Sequence, residues 1–267
     1  MSPGPLLRRL WRVPAVAVWI ACGLVMAGLA ALLTRLVPAQ TQAIRSRLSQ
    51  VWMSGLVSLL PLRVRCLGAL PRQPSLWLSN HVSWVDIVLL GRLAPLHFLS
   101  KAEVAAWPVI GWLAKGAGTL FIQRGTGAAT SLNDQLSGML AAGHSLMIFP
   151  EGTTTAGDRV RTFHGRLLGC AVETGAPVQP VAIAYRRCGE RDSVAPFIND
   201  DEFTAHLWRL LGSERIDVEI HLLPPLRAGS APRNQLAREA RASVIQVLGL
   251  EDGADTNASP SLSRRAA

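Results

Sequence analysis

Leu76-Trp77-Leu78-Ser79-Asn80-His81-Val82-Ser83-Trp84-Val85-Asp86 decides how this chain is read, because an apolar run passes there into a turn holding a histidine and, five positions on, an aspartate. Five residues turn through about 500° of an α-helix, so His81 and Asp86 cannot share a helix face and one of them must sit in a turn. Leu76 to Ser79 reads as a strand, Asn80 and His81 as the turn leaving it, and Ser83 as the N-cap of a helix from Trp84 to Leu90. That order folds Asp86 back toward His81. A histidine at the carboxyl end of a strand, held by a carboxylate in the first helical turn, is placed to act as a general base. Ser83-x-x-Asp86 also has the form of a capping box, in which the aspartate satisfies the helix start. The two roles are compatible, because a carboxylate has two oxygens.

Outward from this stretch, short apolar runs recur at Leu76 to Ser79, His97 to Ser100, Thr119 to Gln123, Ser145 to Phe149 and Val178 to Tyr185. Helical patterns lie between them at Ser83 to Arg92, Ala128 to Ala142 and Phe163 to Glu173, and a further strand (Ile216 to Leu222) and helix (Gln235 to Leu248) follow. Alternation of this kind predicts an α/β fold with a mostly parallel central sheet flanked by helices. Residues 63–250 form this domain and residues 251–267, rich in small and charged residues, read as a disordered tail.

Residues 1–62 are of another kind. Val13 to Leu33 carries no charge and has arginines on both flanks, which predicts an N-terminal membrane helix of about the length a bilayer requires. A shallow or re-entrant insertion is the alternative, because Arg35, Arg45 and Arg47 balance Arg8, Arg9 and Arg12. Ile44 to Leu62 is an amphipathic helix ended by Pro61, suited either to the domain core or to a lipid surface. The apolar fraction of 49% points to a part that belongs to a membrane, and the formal charge of +9 suits an anionic lipid surface, an acidic substrate or nucleic acid without choosing among them. No nucleic acid is expected as a partner, because aromatic and basic residues do not interleave in a binding motif. The four cysteines and six histidines show no metal-ligand spacing, so no metal site is expected.

A second cluster of polar residues follows Leu146 to Phe149, where Pro150-Glu151-Gly152-Thr153-Thr154 forms a turn at the carboxyl end of a strand. That edge is where open α/β sheets bind ligands. Glu151, directly after a buried strand, needs a partner, and Arg124 at the end of Thr119 to Gln123 is a candidate if the two strands are neighbours. Gly125 and Gly127 beyond it do not complete a dinucleotide fingerprint, since Thr130 occupies the last position. Lys101 is another cation facing either this cleft or solvent. Trp107, Pro108, Ile110 and Trp112 read as core packing, with an acyl-chain wall or a membrane-dipping loop as the alternative.

Four blocks occur in order: Asn80-His81-x4-Asp86, Gly118-x-x-Phe121-Ile122-Gln123-Arg124, Phe149-Pro150-Glu151-Gly152-Thr153 and Val178-Gln179-Pro180-Val181. In these the chain resembles the glycerolipid acyltransferase family, represented in bacteria by 1-acyl-glycerol-3-phosphate acyltransferase. The resemblance implies a membrane-bound enzyme in which His81 deprotonates an acceptor hydroxyl and Asp86 orients the histidine. It further implies that Arg124, Glu151, Gly152 and Thr153 bind the acceptor head group and that the Pro180 block shapes the donor side; Lys101 and Thr154 are further candidates for the head-group site. The expected partners are a lysolipid acceptor, the membrane, and acyl-CoA or acyl carrier protein as a thioester co-substrate, with no bound cofactor. Backbone N–H groups near Gly152 or at the helix start by Ser83 are candidate oxyanion donors. The expected product is phosphatidate, made at the cell inner membrane by a domain facing the cytoplasm. Phosphatidate-forming members usually carry arginine where this chain has Thr154, and many members carry an acidic residue where it has Gln123. Those departures raise the alternative of a lyso-ornithine lipid or another lyso-aminolipid as acceptor. A non-catalytic lipid-binding protein is a reading from another class.

Overall fold

The computed structural model describes residues 4–36, 38–122, 128–229 and 231–252. Two long helices, α1 (Pro5–Leu36) and α2 (Pro38–Leu59), precede the domain. Then follow β1 (Leu62–Leu67), β2 (Leu76–Ser79), α3 (Val85–Gly91), β3 (Leu96–Lys101), α4 (Ile110–Gly116), β4 (Leu120–Ile122), α5 (Ala128–Ala141) and β5 (Ser145–Ile148). The chain continues through α6 (Gly169–Thr174), β6 (Val178–Arg187), β7 (Glu190–Arg191), α7 (Phe203–Gly212), β8 (Ile216–Leu222) and α8 (Arg233–Leu248). The strands form one sheet in the order β1-β8-β6-β2-β5-β3-β4, with β7 attached to β6. From β6 to β4 all neighbours are parallel, whereas β8 runs antiparallel to β6 and β1 lies parallel to β8. The expected α/β architecture with a mostly parallel sheet is therefore present.

Helices cover both faces, which is why the central strands read as apolar runs rather than as alternating ones. Trp77, Met147, Val181 and Ile183 point to one side, against Met53 and Leu56 of α2, Leu89 of α3 and Leu210 of α7. Leu76, Leu78, Ile148 and Ala182 point to the other, against Leu136 of α5, Ala171 of α6 and Ala240 of α8. β2, fully buried and central, carries the His81 turn at its carboxyl end. β1, α4 and α7 were not expected from the sequence: β1 is mostly exposed and α4 short, so neither has a strong apolar period.

Three local expectations change. The helix after His81 begins at Val85 rather than Trp84, with Trp84 as its N-cap residue and no side chain capping it; Ser83 Oγ has no partner. Trp107 and Trp112 are 40% and 46% exposed, so this segment, a short 3-10 turn followed by α4, is an apolar surface and not core. α2 begins at Pro38, earlier than the reading from Ile44, and packs Met53, Leu56 and Val57 into the core. The tail residues 253–267 lie outside the described residues.

α1 is long and apolar enough to cross a membrane. It also touches the domain along its length. Near its start Arg9 Nε donates to Trp208 O (3.1 Å), and Arg12 Nη1 donates to Leu211 O (2.9 Å) and Ser213 O (2.8 Å) of the α7 end. At its middle Trp19 Nε1 donates to Trp52 O and Trp52 Nε1 to Trp19 O, at 2.9 and 3.0 Å. Each indole lies on a glycine of the other helix: a Cβ on Gly55 would stand 2.0 Å from the Trp19 ring, and one on Gly23 2.2 Å from Trp52.

Candidate active site

The turn after β2 is built by Asn80. Its Nδ2 donates to Ile183 O (3.0 Å) and its Oδ1 accepts from Ile183 N (2.8 Å), so the side chain takes the place of a strand residue beside β6. The main chain is thereby released from the ladder, and His81 leaves the sheet. The imidazole stacks on Phe149 at 3.8 Å with 13° between the planes, and its Nδ1 lies 2.8 Å from Asp86 Oδ2.

Asp86 is wholly buried and its two oxygens collect donors. Oδ2 also accepts from Val82 N (2.8 Å) and Ser83 N (3.0 Å), and the Tyr185 hydroxyl donates to Oδ1 at 2.5 Å. Its other three partners, Val82 N, Ser83 N and the Tyr185 hydroxyl, are donors, so Asp86 acts as the acceptor and the ring hydrogen of His81 is assigned to Nδ1. Nε2 then presents its lone pair outward from a side chain that is 17% exposed. Asp86 thus does both things expected of it, except that it binds the Ser83 main chain without a returning bond from the hydroxyl.

Glu151 is the second buried carboxyl group. Its Oε1 accepts from His81 N (2.8 Å) and its Oε2 from Arg161 N (2.9 Å). Burial pushes its pKa up to about 7, against the opposing pull of these two N–H donors. The anticipated pairing with Arg124 fails in its premise, because β3 lies between β4 and β5; Arg124 itself lies outside the described residues, as does Gln123. From the same turn Thr155 N donates to His81 O at 2.8 Å. The turn therefore grips the His81 backbone at both its N–H and its carbonyl.

The other expected residues separate into edge and support. Gly152 and Thr153 are exposed at the tip of the turn, which closes with Gly152 at φ +71°, the left-handed region a glycine enters without steric cost. Thr154 donates its hydroxyl to Phe197 O, so it ties the turn to the segment before α7. Lys101 ends β3 at the same sheet edge, exposed, with β5 between its strand and β2. Of the main-chain N–H groups around the two proposed oxyanion positions, Gly152 N donates to Phe149 O, and Val82 N and Ser83 N donate to Asp86. Val178 to Val181 pairs with Leu76 to Ser79 inside the sheet and all four residues are buried, so this block supports the sheet and exposes no side chain of its own. Tyr185 and the strand-mimicking role of Asn80 were not foreseen. The only hint in the sequence was that Tyr185 is the chain's one tyrosine.

A base at Nε2, a buried carboxylate behind it and an open sheet edge in front are sufficient to activate a hydroxyl or water toward a carbonyl carbon. The model of the Acyltransferase family matches residues 62–184, which contain His81, Asp86 and Glu151. The chain is 50% identical over 262 residues to lyso-ornithine lipid O-acyltransferase of Pseudomonas aeruginosa, covering 98% of this chain and 99% of that protein. It is 30% identical over 143 residues to 1-acyl-sn-glycerol-3-phosphate acyltransferase of Neisseria gonorrhoeae, covering 53% of this chain and 56% of that one. Its fold matches the crystal structure of the 1-acyl-sn-glycerophosphate acyltransferase PlsC from Thermotoga maritima, with a TM-score of 0.70, 21% identity, and coverage of 91% of this chain and 94% of that one. Identity at half of the aligned positions along nearly the whole of both chains, together with the family model, shows that this chain belongs to the acyltransferase family.

Proposed function

We propose that this protein is a membrane-bound O-acyltransferase whose acceptor is lyso-ornithine lipid and whose donor is an acyl thioester of CoA or acyl carrier protein. The observation that carries the acceptor is the 50% identity to a lyso-ornithine lipid O-acyltransferase across 98% of this chain. The phosphatidate-forming relative matches little more than half of it at 30%. The reading that placed 1-acyl-glycerol-3-phosphate first therefore gives way to its alternative. Thr154 agrees: phosphatidate-forming members usually place an arginine there, and here a hydroxyl bonded to Phe197 O leaves no cation.

In the reaction His81 Nε2 takes the proton of the acceptor hydroxyl as its oxygen attacks the thioester carbonyl, while Asp86 holds the imidazolium through Nδ1. Collapse of the tetrahedral intermediate expels the thiolate, which recovers the proton from His81. The products are an ester and a free thiol. No side chain of the protein is acylated, so catalysis rests on proximity and a prepared base. Because thioester donors are cytosolic, the domain is placed on the cytoplasmic side of the cell inner membrane.

The test is a panel of lysolipids offered to the purified full chain in detergent with acyl-CoA or acyl carrier protein thioester, with free thiol as the readout. Lyso-ornithine lipid is expected to have the highest kcat/KM, at least about tenfold above 1-acyl-glycerol-3-phosphate. Preference for the phosphate lipid would overturn the acceptor assignment. Lipid binding with no thiol release from any acceptor would favour the non-catalytic reading.

A further inference from the structure

We propose that Tyr185 is a positioning residue of the reaction: its hydroxyl, donated to Asp86 Oδ1, fixes the carboxylate that fixes His81 and moderates how strongly that carboxylate attracts the proton His81 acquires. The proposal rests on the reading of His81 as the base.

Three observations carry it. The hydroxyl comes from a rigid support: Tyr185 lies inside β6, paired with Val218 of β8, its carbonyl accepting from Asp192 N at 3.0 Å, and it is 4% exposed. It reaches Asp86 across 99 residues of sequence and meets the oxygen that His81 does not use. Val82 N and Ser83 N both go to Oδ2, so Tyr185 is the only assigned donor on Oδ1 among the described residues. Without it the carboxylate keeps its bonds on one oxygen only and can rotate about the bond that aims Oδ2 at Nδ1. Burial and the neighbouring Asp86 charge push the phenol pKa well above its ordinary value, so Tyr185 stays a donor over the working pH range.

The common alternative is that a core tyrosine has merely found a partner for its hydroxyl. The two differ in what they predict for proton chemistry. The charged or titratable groups around His81 are Asp86 from α3, Glu151 after β5 with Arg161 beyond it, and Tyr185 from β6. Tyr185 can be tuned in graded steps with little change of shape. Because it is the sole tyrosine of the chain, growth on 3-fluorotyrosine or 3,5-difluorotyrosine alters this phenol and no other. Each fluorine makes the phenol a stronger donor and Asp86 a weaker partner for the imidazolium.

The experiment measures kcat and KM against pH for the full chain in detergent, with whichever lysolipid is turned over best. The acid limb of kcat/KM is expected to move to lower pH with each fluorine, by about 0.2–0.5 pH unit per step, and to higher pH in Tyr185→Phe. Tyr185→Phe should also lose about tenfold in kcat with KM within about twofold, and should cost less than about twofold on an Asp86→Asn background. An acid limb that stays in place across the fluorinated series, or an equal loss from Tyr185→Phe with and without Asp86, overturns the proposal. The fluorinated proteins keep the test decisive should Tyr185→Phe fold poorly. His81→Ala separates this from the underlying reading. Turnover by that variant removes the base itself, whereas an inactive variant beside an unmoved acid limb removes only the role of Tyr185.

Discussion

Glu151 shows how much a single buried carboxyl can govern here. The resemblance places it among head-group ligands, but both of its oxygens are occupied by main-chain N–H groups, of His81 and of Arg161. It holds the His81 main chain from behind. Its pKa stands raised to about 7 from an ordinary 4.5, with burial as the main cause, so the folded protein holds this proton more tightly than the unfolded chain. The stability it contributes is present below about pH 4.5 and is lost as pH rises through about 7. Glu151→Gln removes the titration. The gap in urea-unfolding free energy between the wild type and this variant should therefore shift by roughly 2–4 kcal/mol against the wild type between those limits, and stay flat on either side. A gap independent of pH would mean that the carboxyl ionises as readily in the fold as out of it.

Asn80 carries the pairing of β2 with β6 one residue beyond the end of the main-chain ladder. β2 ends at Ser79, and the Asn80 amide then occupies both Ile183 N and Ile183 O of β6. Asn80→Ala strands a buried donor and a buried acceptor in the sheet interior, which should cost about 2–5 kcal/mol, read as a lowered urea midpoint at unchanged slope. Activity should fall further than stability, because His81 is the next residue. Element by element, β2, β3, β5, β6, β8, α5 and α8 were legible from the sequence within a few residues, since burial on both faces of the sheet leaves continuous apolar runs and the helices carry a regular period. β1 was hidden because its arginines and exposed surface break any apolar run, whereas α7 does carry a local amphipathic period, with Phe203, Leu207, Leu210 and Leu211 on its inner face.

At the scale of the whole molecule, the described residues of α1 present an apolar surface without a partner in the fold. Leu7, Trp11, Val18, Val25, Leu29 and Leu32 of α1 are all more than half exposed and recur at helical spacing, forming a single stripe. Trp112 of α4 continues it, lying 3.7 Å from where a Cβ on Gly28 would stand. A stripe of this length on a helix otherwise held by α2 and α7 suits lipid. The combined variant Val18→Gln, Val25→Gln, Leu29→Gln should leave the melting temperature unchanged, because these side chains touch no core. Its partition onto vesicles of anionic lipid should drop by more than about a hundredfold in a sedimentation assay. Retained binding would place the membrane contact elsewhere.

The alternation of apolar runs, the helical periods and the His81-x4-Asp86 spacing were fixed by residues close in sequence, and local pattern alone was enough to read the α/β class, the dyad and the family resemblance from them. Which groups meet at the site depends instead on strand order, and no local pattern encodes that. The sheet set β3 between β4 and β5 and so separated the strand leading to Arg124 from Glu151. It set β6 beside β2 and so brought Tyr185 to Asp86, and it turned Glu151 onto the His81 backbone. A buried polar group binds whatever donor the packed fold brings within 3 Å, which is why these partners emerged only in three dimensions.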